Sequence, residues 1–420
     1  MKLPLLRWWV LALLCSSTII NYVDRQALAV VLPQLRVDLG LTSYDYGVVT
    51  TAFLIAYTLA QVGSGVLIDR IGTRLGFVVS VAVWSFAAMA HAFAAGAASL
   101  IVLRCLLGLG EAGNWPAGGK AIAEWFLKHR RAFAMGVFDG GSAMGAILAP
   151  PLLAALTLTF GWRAAFVATG LAGFVWLALW LWSYWKPAQH PWLSEEDRAS
   201  AAIETEDATT MKRIPLRQLL GERKLWGLML TRMAATPVWW FYIFWLPDYL
   251  SKERGFGIRE IGMFGWIPFL TVDLGKLLGG AVSDHLLHRG WSATLARKSV
   301  MAVAALAMLG GVRVAGADSA TTAIAWVSVA TFGFGMWSAN ILALHSDIFP
   351  RTALATAIGW TGTAASFGGA IFTYATGLVV QSAGYAPIFM AAGTASLAAL
   401  LLLIVVVGDV EQVRVAEAVA

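Results

Sequence analysis

Long apolar stretches recur along the whole chain, separated by short segments that carry glycine, proline or charged residues. A helix of about 20 apolar residues is long enough to cross a bilayer. The pattern therefore predicts an all-α membrane protein with twelve membrane-spanning helices. They cover residues 7–33, 44–68, 75–95, 98–124, 132–157, 163–185, 225–250, 259–286, 298–314, 320–345, 352–380 and 384–408.

One longer polar stretch, at about residues 186–224, interrupts this succession. Its mixture of acidic and basic residues is typical of a solvated loop or a short surface helix. We therefore predict three parts: a six-helix half at 1–186, a cytoplasmic linker at 187–224 and a second six-helix half at 225–420.

The two halves repeat each other in sequence. Gly65–Arg74 and Gly280–Asp284 follow the second helix of each half, whereas Gly161–Phe166 and Gly384–Phe389 precede the sixth. Parallel repeats of this kind place a substrate site at their interface, near the middle of the membrane. The repeat therefore favours a transport function.

The composition agrees with a membrane protein: 59% of the 420 residues are hydrophobic and 13% are charged. A soluble domain carries about 25% charged residues, so the composition argues against a water-soluble enzyme. The net charge of +6 comes without a basic patch that would fit nucleic acid. Instead, 19 of the 30 Lys and Arg residues lie at the N-terminus and in the loops predicted on its side, against 6 in the opposite loops. The positive-inside rule then predicts a plasma-membrane protein with both termini in the cytoplasm.

No catalytic or cofactor motif is found in the sequence. Cys15 and Cys105 both lie in apolar runs, so neither a disulfide framework nor a metal site is indicated. No glycine-rich ATP loop is present, which argues against direct use of ATP. We expect neither an enzyme nor a cofactor, and the chain is expected to act as a monomer.

Charged residues inside the predicted spans are the main candidates for function, because a charge at the bilayer centre costs at least about 2.5–3.5 kcal/mol. Asp24 and Arg25 are adjacent in the first span and point about 100° apart. Arg25 could bind a carboxylate through its planar, bidentate donors, with Asp24 as a proton acceptor. The alternative is a structural ion pair with another helix. Arg104 and Glu111, two turns apart on the fourth span, allow the same two interpretations.

Several motifs resemble the major facilitator superfamily, and within it the anion:cation symporter family. The superfamily's loop motif is matched by Gly65, Asp69, Arg70 and Arg74. The narrower resemblance is carried by Asn21-Tyr22-Val23-Asp24-Arg25, by Arg104, Gly108, Gly110, Glu111 and Pro116, and by Gly161-Trp162-Arg163. Ala296-Arg297-Lys298, Ser346-Asp347-Ile348-Phe349 and Gly359-Trp360-Thr361-Gly362 look most like the hexuronate and aldonate branch.

The resemblance implies a twelve-helix fold and inward transport of small organic anions with protons or another cation. It also implies that Glu111 takes part in proton coupling, that Arg104 partners the carboxylates and that Tyr57 contacts a substrate hydroxyl. An interhelical hydrogen bond is an equal alternative for Tyr57. The loop motif, Gly65 with Asp69, Arg70 and Arg74, is implied to be a conformational latch.

Lys276, in the eighth span, departs from the branch pattern. It either pairs with Asp273 or Asp139 or supplies a second anion contact. Asn340 and Trp360 are weaker candidates for the substrate pocket.

Three further charged or polar residues have structural interpretations. Lys120 is expected to pair with Glu124, four residues later. Arg232 is expected to reach the membrane surface and His345 to act in a gate or in packing.

Together these features predict a proton-coupled symporter that imports a sugar acid, a hexuronate or an aldonate. The alternative is an exchanger or symporter for a dicarboxylate or another small organic anion. A transporter-like sensor that binds without transport is a further rival.

Overall fold

The computed structural model describes residues 3–198 and 216–413, and it is helical throughout, with no strand in these ranges. The first group of helices comprises α1 (Leu3–Leu39), α2 (Ser43–Ile71), α3 (Thr73–Ala90), α4 (Ala97–Glu111), α5 (Asn114–Trp125), α6 (Lys128–Phe160) and α7 (Trp162–Ser183). Short 3₁₀ turns at His91–Phe93 and Pro187–Gln189 follow α3 and α7. The predicted linker 187–224 lies partly outside the described residues.

The second group begins after residue 215. It comprises α8 (Leu216–Leu220), α9 (Arg223–Ala235), α10 (Pro237–Arg254), α11 (Ile258–Phe264), α12 (Ile267–His288), α13 (Ala293–Met308), α14 (Ala320–Ile348), α15 (Arg351–Ala383) and α16 (Ala386–Leu402). A 3₁₀ turn at Leu309–Arg313 follows α13, and a π turn at Leu403–Val407 follows α16.

Within the described ranges, ten helical segments are long and apolar enough to cross a membrane, or eleven if the bent pair Ser43–Gln61 and Gly63–Ile71 counts as one. The seventh predicted span, 225–250, is present as α9 and α10 but does not satisfy the same criteria. Pro237 begins α10, where its missing N–H is tolerated, and thereby separates two shorter helices. The last turns of α10 also carry several charged residues.

Contacts among the helices define two compact units. The first unit consists of Met1–Leu41, Ala52–Thr210 and Ile261–Met263. The second consists of Thr42–Thr51, Met211–Glu260 and Phe264–Ala420. Each unit has apolar helix surfaces at its core, with a small number of polar and charged side chains enclosed among them. The polar groups enclosed in the first unit form the main candidate site, and those of the second unit are described separately.

Candidate functional site

A buried ion pair joins Arg25 on α1 to Glu111, the last residue of α4. Nε and Nη2 of Arg25 donate to the same carboxylate oxygen, Oε2 of Glu111, at 3.0 and 2.7 Å. The two side chains are 1% and 0% exposed. Two donors that converge on one oxygen hold the guanidinium in a fixed position and match its charge. Oε1 of Glu111 has no hydrogen-bond partner in the described part of the chain.

Aromatic rings enclose the Arg25 guanidinium. Its Cζ atom lies 4.7 Å from the ring centre of Tyr22, 5.3 Å from that of Phe53 and 5.0 Å from that of Tyr57. Phe53 and Tyr57 stack on each other on α2. Ring faces attract a cation and exclude water from it, so they strengthen the ion pair. Tyr57 therefore contacts Arg25 through its ring, and its hydroxyl makes no hydrogen bond within the described residues.

Asp24 is enclosed separately from this pair. It is 2% exposed, and neither of its carboxylate oxygens has a hydrogen-bond partner among the described residues. The separation follows from helix geometry, because adjacent residues on α1 point about 100° apart. A carboxylate without a partner is costly to bury as an anion. Asp24 is thus placed as a second carboxyl group beside the pair rather than as a member of it.

Arg104 lies one helix away and supports α1. It is 1% exposed, and its Nη1 donates to the backbone oxygen of Arg25 at 3.2 Å. The carboxylate of Glu111, two turns further along α4, meets α1 instead. The two charged residues of α4 therefore both bind the same position of α1, one through its backbone and one through its side chain.

Glycines in α4 allow these contacts. A Cβ atom on Gly108 would lie 2.6 Å from the backbone oxygen of Phe53, and one on Gly110 would lie 2.6 Å from the backbone nitrogen of Trp84. Neither distance is compatible with a side chain, so the glycines let α4 approach α2 and α3 closely. The helix then ends at Glu111 and resumes at Asn114, within one predicted span.

A row of polar residues on α1 extends the site, and two of its members, Ser17 and Asn21, had no predicted role in binding. Ser17, Asn21 and Arg25 are spaced four residues apart and share one face of the helix. Asn21 accepts from Arg25 Nη2 at 3.1 Å, and Ser17 donates to Asn114 on α5 at 3.0 Å. Asn114 also donates to Thr18 at 3.1 Å. The four-residue spacing inside an apolar run was the signal that could have identified this face.

The motif of Gly65, Asp69, Arg70 and Arg74 covers the end of α2 and the start of α3, and its Asp69 forms a partly exposed ion pair. Nζ of Lys120 lies 2.9 Å from Oδ1 of Asp69, and these side chains are 28% and 67% exposed. Lys120 also donates to the backbone oxygen of Ile68 at 3.0 Å. The predicted pair of Lys120 with Glu124 is wrong. Glu124 instead accepts from Thr73 and Tyr184, because α5 packs against α3 and the end of α7.

The other residues of the motif have different environments. Arg74, near the start of α3, lies over the ring of Trp185 at 3.6 Å and donates to the backbone oxygen of Leu181 at 2.5 Å. It thereby fastens α3 to the end of α7. Arg70 is exposed, and Gly65 has open space beside its α-carbon. The latch function of the motif stays a prediction.

The three candidates of the second unit lie on three different helices, α12, α14 and α15. Lys276 pairs with Asp273 one turn earlier on α12, at 3.4 Å, and both are half-buried. Asn340 is buried on α14 and donates to the backbone oxygens of Gly279 and Met336 at 3.1 and 2.9 Å, which fastens α14 to α12. Trp360 is half-buried on α15. The described residues of this unit give Lys276 a matched charge and Asn340 a packing role.

No group of three potential metal ligands is present in residues 3–198 and 216–413. Multiple apolar helices that enclose charged side chains are typical of polytopic membrane transport proteins.

The chain matches the Major Facilitator Superfamily over residues 14–373, and it belongs to that superfamily of membrane transporters. It is therefore not an enzyme. It is 33% identical to a hexuronate transporter of Escherichia coli (strain K12), over 92% of this chain and 91% of the relative. It is 31% identical to a probable galactarate/D-glucarate transporter of Bacillus subtilis (strain 168), over 97% of this chain and 93% of the relative.

A solved structure shows the same fold. The crystal structure of a D-xylose-proton symporter superposes with a TM-score of 0.77 at 14% identity, over 96% of this chain and 99% of that one. The predicted superfamily and its hexuronate and aldonate branch are confirmed by these matches, as is the all-α fold class.

Proposed function

We propose that this protein is a proton-coupled symporter that imports a sugar acid, a hexuronate or an aldonate, by alternating access. The observation that carries the proposal is the buried pair of Arg25 and Glu111, with Asp24 beside it. The relatives named above, which transport sugar acids, support the substrate class.

The pair suggests how protons and anion are coupled. While Glu111 is ionised, its carboxylate occupies the donors of Arg25. A proton on Glu111 removes the competing negative charge, and the guanidinium can then bind the carboxylate of the substrate. Substrate and proton therefore bind together, and release of the proton inside restores the ion pair and displaces the anion. Asp24 offers a second place for a proton.

The membrane potential determines how strongly proton coupling can concentrate the substrate inside the cell. Moving a monoanion inward against an inside-negative potential costs about 2.3 kcal/mol of electrical free energy per 100 mV. Each proton that moves inward releases the same amount. One proton makes transport electroneutral. Two protons, one on each acidic residue, make it electrogenic and more strongly concentrative.

The alternative is a symporter or exchanger for a dicarboxylate, which the likeness to the galactarate/D-glucarate relative supports. An exchanger would not require a proton at Glu111. We further propose that the protein lies in the cell inner membrane and acts as a monomer. Both termini are proposed to lie in the cytoplasm, because Lys and Arg concentrate at the N-terminus and in the loops predicted on its side of the membrane.

Uptake of labelled galacturonate into proteoliposomes, with and without an inward proton gradient, tests the proposal. We expect accumulation above the external concentration only with the gradient, and its collapse when a protonophore is added. Accumulation that needs an internal anion and no gradient would establish the exchanger. Binding without any flux would establish a sensor, and the absence of both binding and uptake would overturn the sugar-acid proposal.

A further inference from the structure

Asn21 on α1 contacts the guanidinium of Arg25 from one helical turn earlier. Its Oδ1 accepts from Nη2 of Arg25 at 3.1 Å, and Asn21 is 1% exposed. The same Nη2 donates to Oε2 of Glu111 at 2.7 Å. A terminal guanidinium nitrogen carries two N–H groups, so the amide accepts from one and the carboxylate from the other. Arg25 is therefore held by two acceptors of different chemistry, one neutral and one charged.

The two acceptors respond differently to a proton. The carboxylate of Glu111 loses its charge when it binds a proton, whereas the amide of Asn21 does not titrate and its oxygen stays an acceptor. The hydrogen bond from Arg25 to Asn21 can therefore persist when the ion pair is broken. It then keeps the guanidinium in one orientation while its anionic partner changes.

The nitrogen of the same amide lies near the anion of the pair. Nδ2 of Asn21 is buried without a hydrogen-bond partner in the described ranges, and the same holds for Oε1 of Glu111. The two side chains are nevertheless close enough to interact electrostatically. A buried donor without a partner costs free energy, and an anion oxygen beside Arg25 would remove that cost. Nδ2 is thus placed to donate to the anion that accompanies Arg25, whether this is Glu111 or a ligand carboxylate.

We propose that Asn21 is a positioning residue that holds Arg25 in place while the carboxylate of Glu111 is exchanged for that of the substrate. The inference rests on the proposed function, in which a proton on Glu111 frees Arg25. Oδ1 fixes the plane of the guanidinium, so its parallel donors stay directed at the position that the Glu111 carboxylate leaves. Nδ2 supplies a further donor at that position. All these groups belong to the first unit.

The ionisable groups around this centre lie on α1, α2 and α4. They are Tyr22, Asp24, Arg25, Tyr57, Arg104 and Glu111. Among them, Glu111 shares Nη2 of Arg25 with Asn21. An acid in place of Asn21 would put a second carboxylate on the same guanidinium nitrogen, and this gives a direct test.

Proton uptake during galacturonate binding to the purified full chain is measured by titration calorimetry in two buffers of different ionisation enthalpy. Asn21→Asp keeps the size of the side chain and adds a carboxylate beside Nη2 of Arg25. We expect it to weaken galacturonate binding at pH 7 about 10- to 100-fold. We also expect binding to take up about one proton more than in the wild type, because both carboxylates must be neutral before Arg25 can bind the substrate.

A second variant and a control separate this role from packing. Asn21→Leu removes the hydrogen bonds at similar volume, and it should weaken binding about three- to tenfold without changing proton uptake. Ser17→Ala is the matched control, because this buried hydroxyl lies on the same face of α1, one turn earlier, and bonds to Asn114 and the backbone oxygen of Leu14. It should leave affinity and proton uptake unchanged. Thermal unfolding of each variant separates lost binding from lost folding.

Three outcomes would overturn the assignment. Wild-type affinity in both Asn21 variants would mean that Arg25 needs no support from this amide. Weaker binding by Asn21→Asp with wild-type proton uptake would make Asn21 structural, and equal losses in Ser17→Ala and Asn21→Leu would show that the polar face only packs α1. The proposed function fails separately, since it would be refuted if the wild-type protein bound no galacturonate or bound it without taking up a proton.

Discussion

The two units enclose arginine in opposite ways. In the first unit, Arg25 meets a carboxylate and three aromatic rings, so its charge is matched as long as Glu111 is ionised. In the second unit, Arg232 meets only the hydroxyl of Thr361 among the described residues. A proton can neutralise the charge of a carboxylate partner, whereas a hydroxyl partner is neutral throughout. The first arginine is therefore suited to proton coupling, whereas the contact of the second arginine does not depend on a carboxylate.

The motifs that the sequence repeats after the second helix of each half show a second contrast between the units. In the first unit, Asp69 pairs with Lys120 at the surface. In the second, Arg297 is 10% exposed and binds the two carboxylates of Asp284 and Asp347. Asp69 and its counterpart Asp284 are both largely exposed, but Asp284 binds a buried guanidinium that also binds Asp347, so the two motifs should differ in their contribution to stability.

The largest effect is expected when Arg25 is removed. Arg25→Ala leaves Glu111 enclosed without its partner, which should cost about 3–5 kcal/mol of unfolding free energy and abolish galacturonate binding. Unfolding in detergent and equilibrium binding measure the two effects. The double variant Arg25→Ala/Glu111→Ala should recover stability but not binding. Wild-type affinity in the single variant would remove the clamp role of Arg25.

Glu111→Gln should have the next largest effect, on transport rather than on folding. The amide oxygen can still accept from Arg25, but the side chain no longer binds and releases a proton. We expect gradient-driven accumulation of galacturonate to fall at least about tenfold, while exchange of labelled for unlabelled substrate continues. The exchange assay is the control for folding and binding. Normal accumulation by this variant would assign the coupling role to another group.

Arg297→Gln should lower the unfolding free energy by about 2 kcal/mol, because the hydrogen bonds from a buried guanidinium to Ser283, Asp284 and Asp347 are lost. Arg289→Gln is the matched control: this residue is exposed on the same side of the second unit and should change stability by less than about 0.5 kcal/mol. An equal effect of the two substitutions would show that the network around Arg297 contributes nothing specific.

Lys120→Gln should have the smallest effect on stability, at most about 1 kcal/mol, because exposed ion pairs are screened by solvent. Raising the salt concentration should reduce even this difference. If transport falls while stability does not, the pair of Asp69 and Lys120 acts in conformational change, as the latch prediction requires. A loss of several kcal/mol would instead make the pair a structural element of the first unit.

The fold was largely predictable because the bilayer constrains a chain strongly. Each membrane-spanning segment must be apolar and helical, so the length and spacing of apolar runs in the sequence locate these segments. The seventh span was the difficult case, since Pro237 and the charged end of α10 give the sequence a less regular pattern. The residues of the candidate site were predictable, because a charged residue inside an apolar run stands out in the sequence. The contacts among those residues were not predictable.

The wrong pair of Lys120 with Glu124 shows why contacts escaped prediction. Spacing on one helix makes that pair possible, but Asp69 and Tyr184, which are distant in sequence, compete for the same side chains. The same limit applied to Arg232. Its position near the start of the predicted span 225–250 favoured a surface role, and only packing of α9 against α15 places it beside Thr361.

The sequence by itself determined the membrane-spanning helices, the internal repeat, the superfamily and the identity of the enclosed charges, because these depend on composition and on spacing along one helix. Only the tertiary structure decided that Glu111 binds Arg25, that Asp24 is separate from them, and that Arg232 has a hydroxyl for its partner. These facts depend on which helices are neighbours. The free energy of an enclosed charge is set by the groups that packing brings beside it.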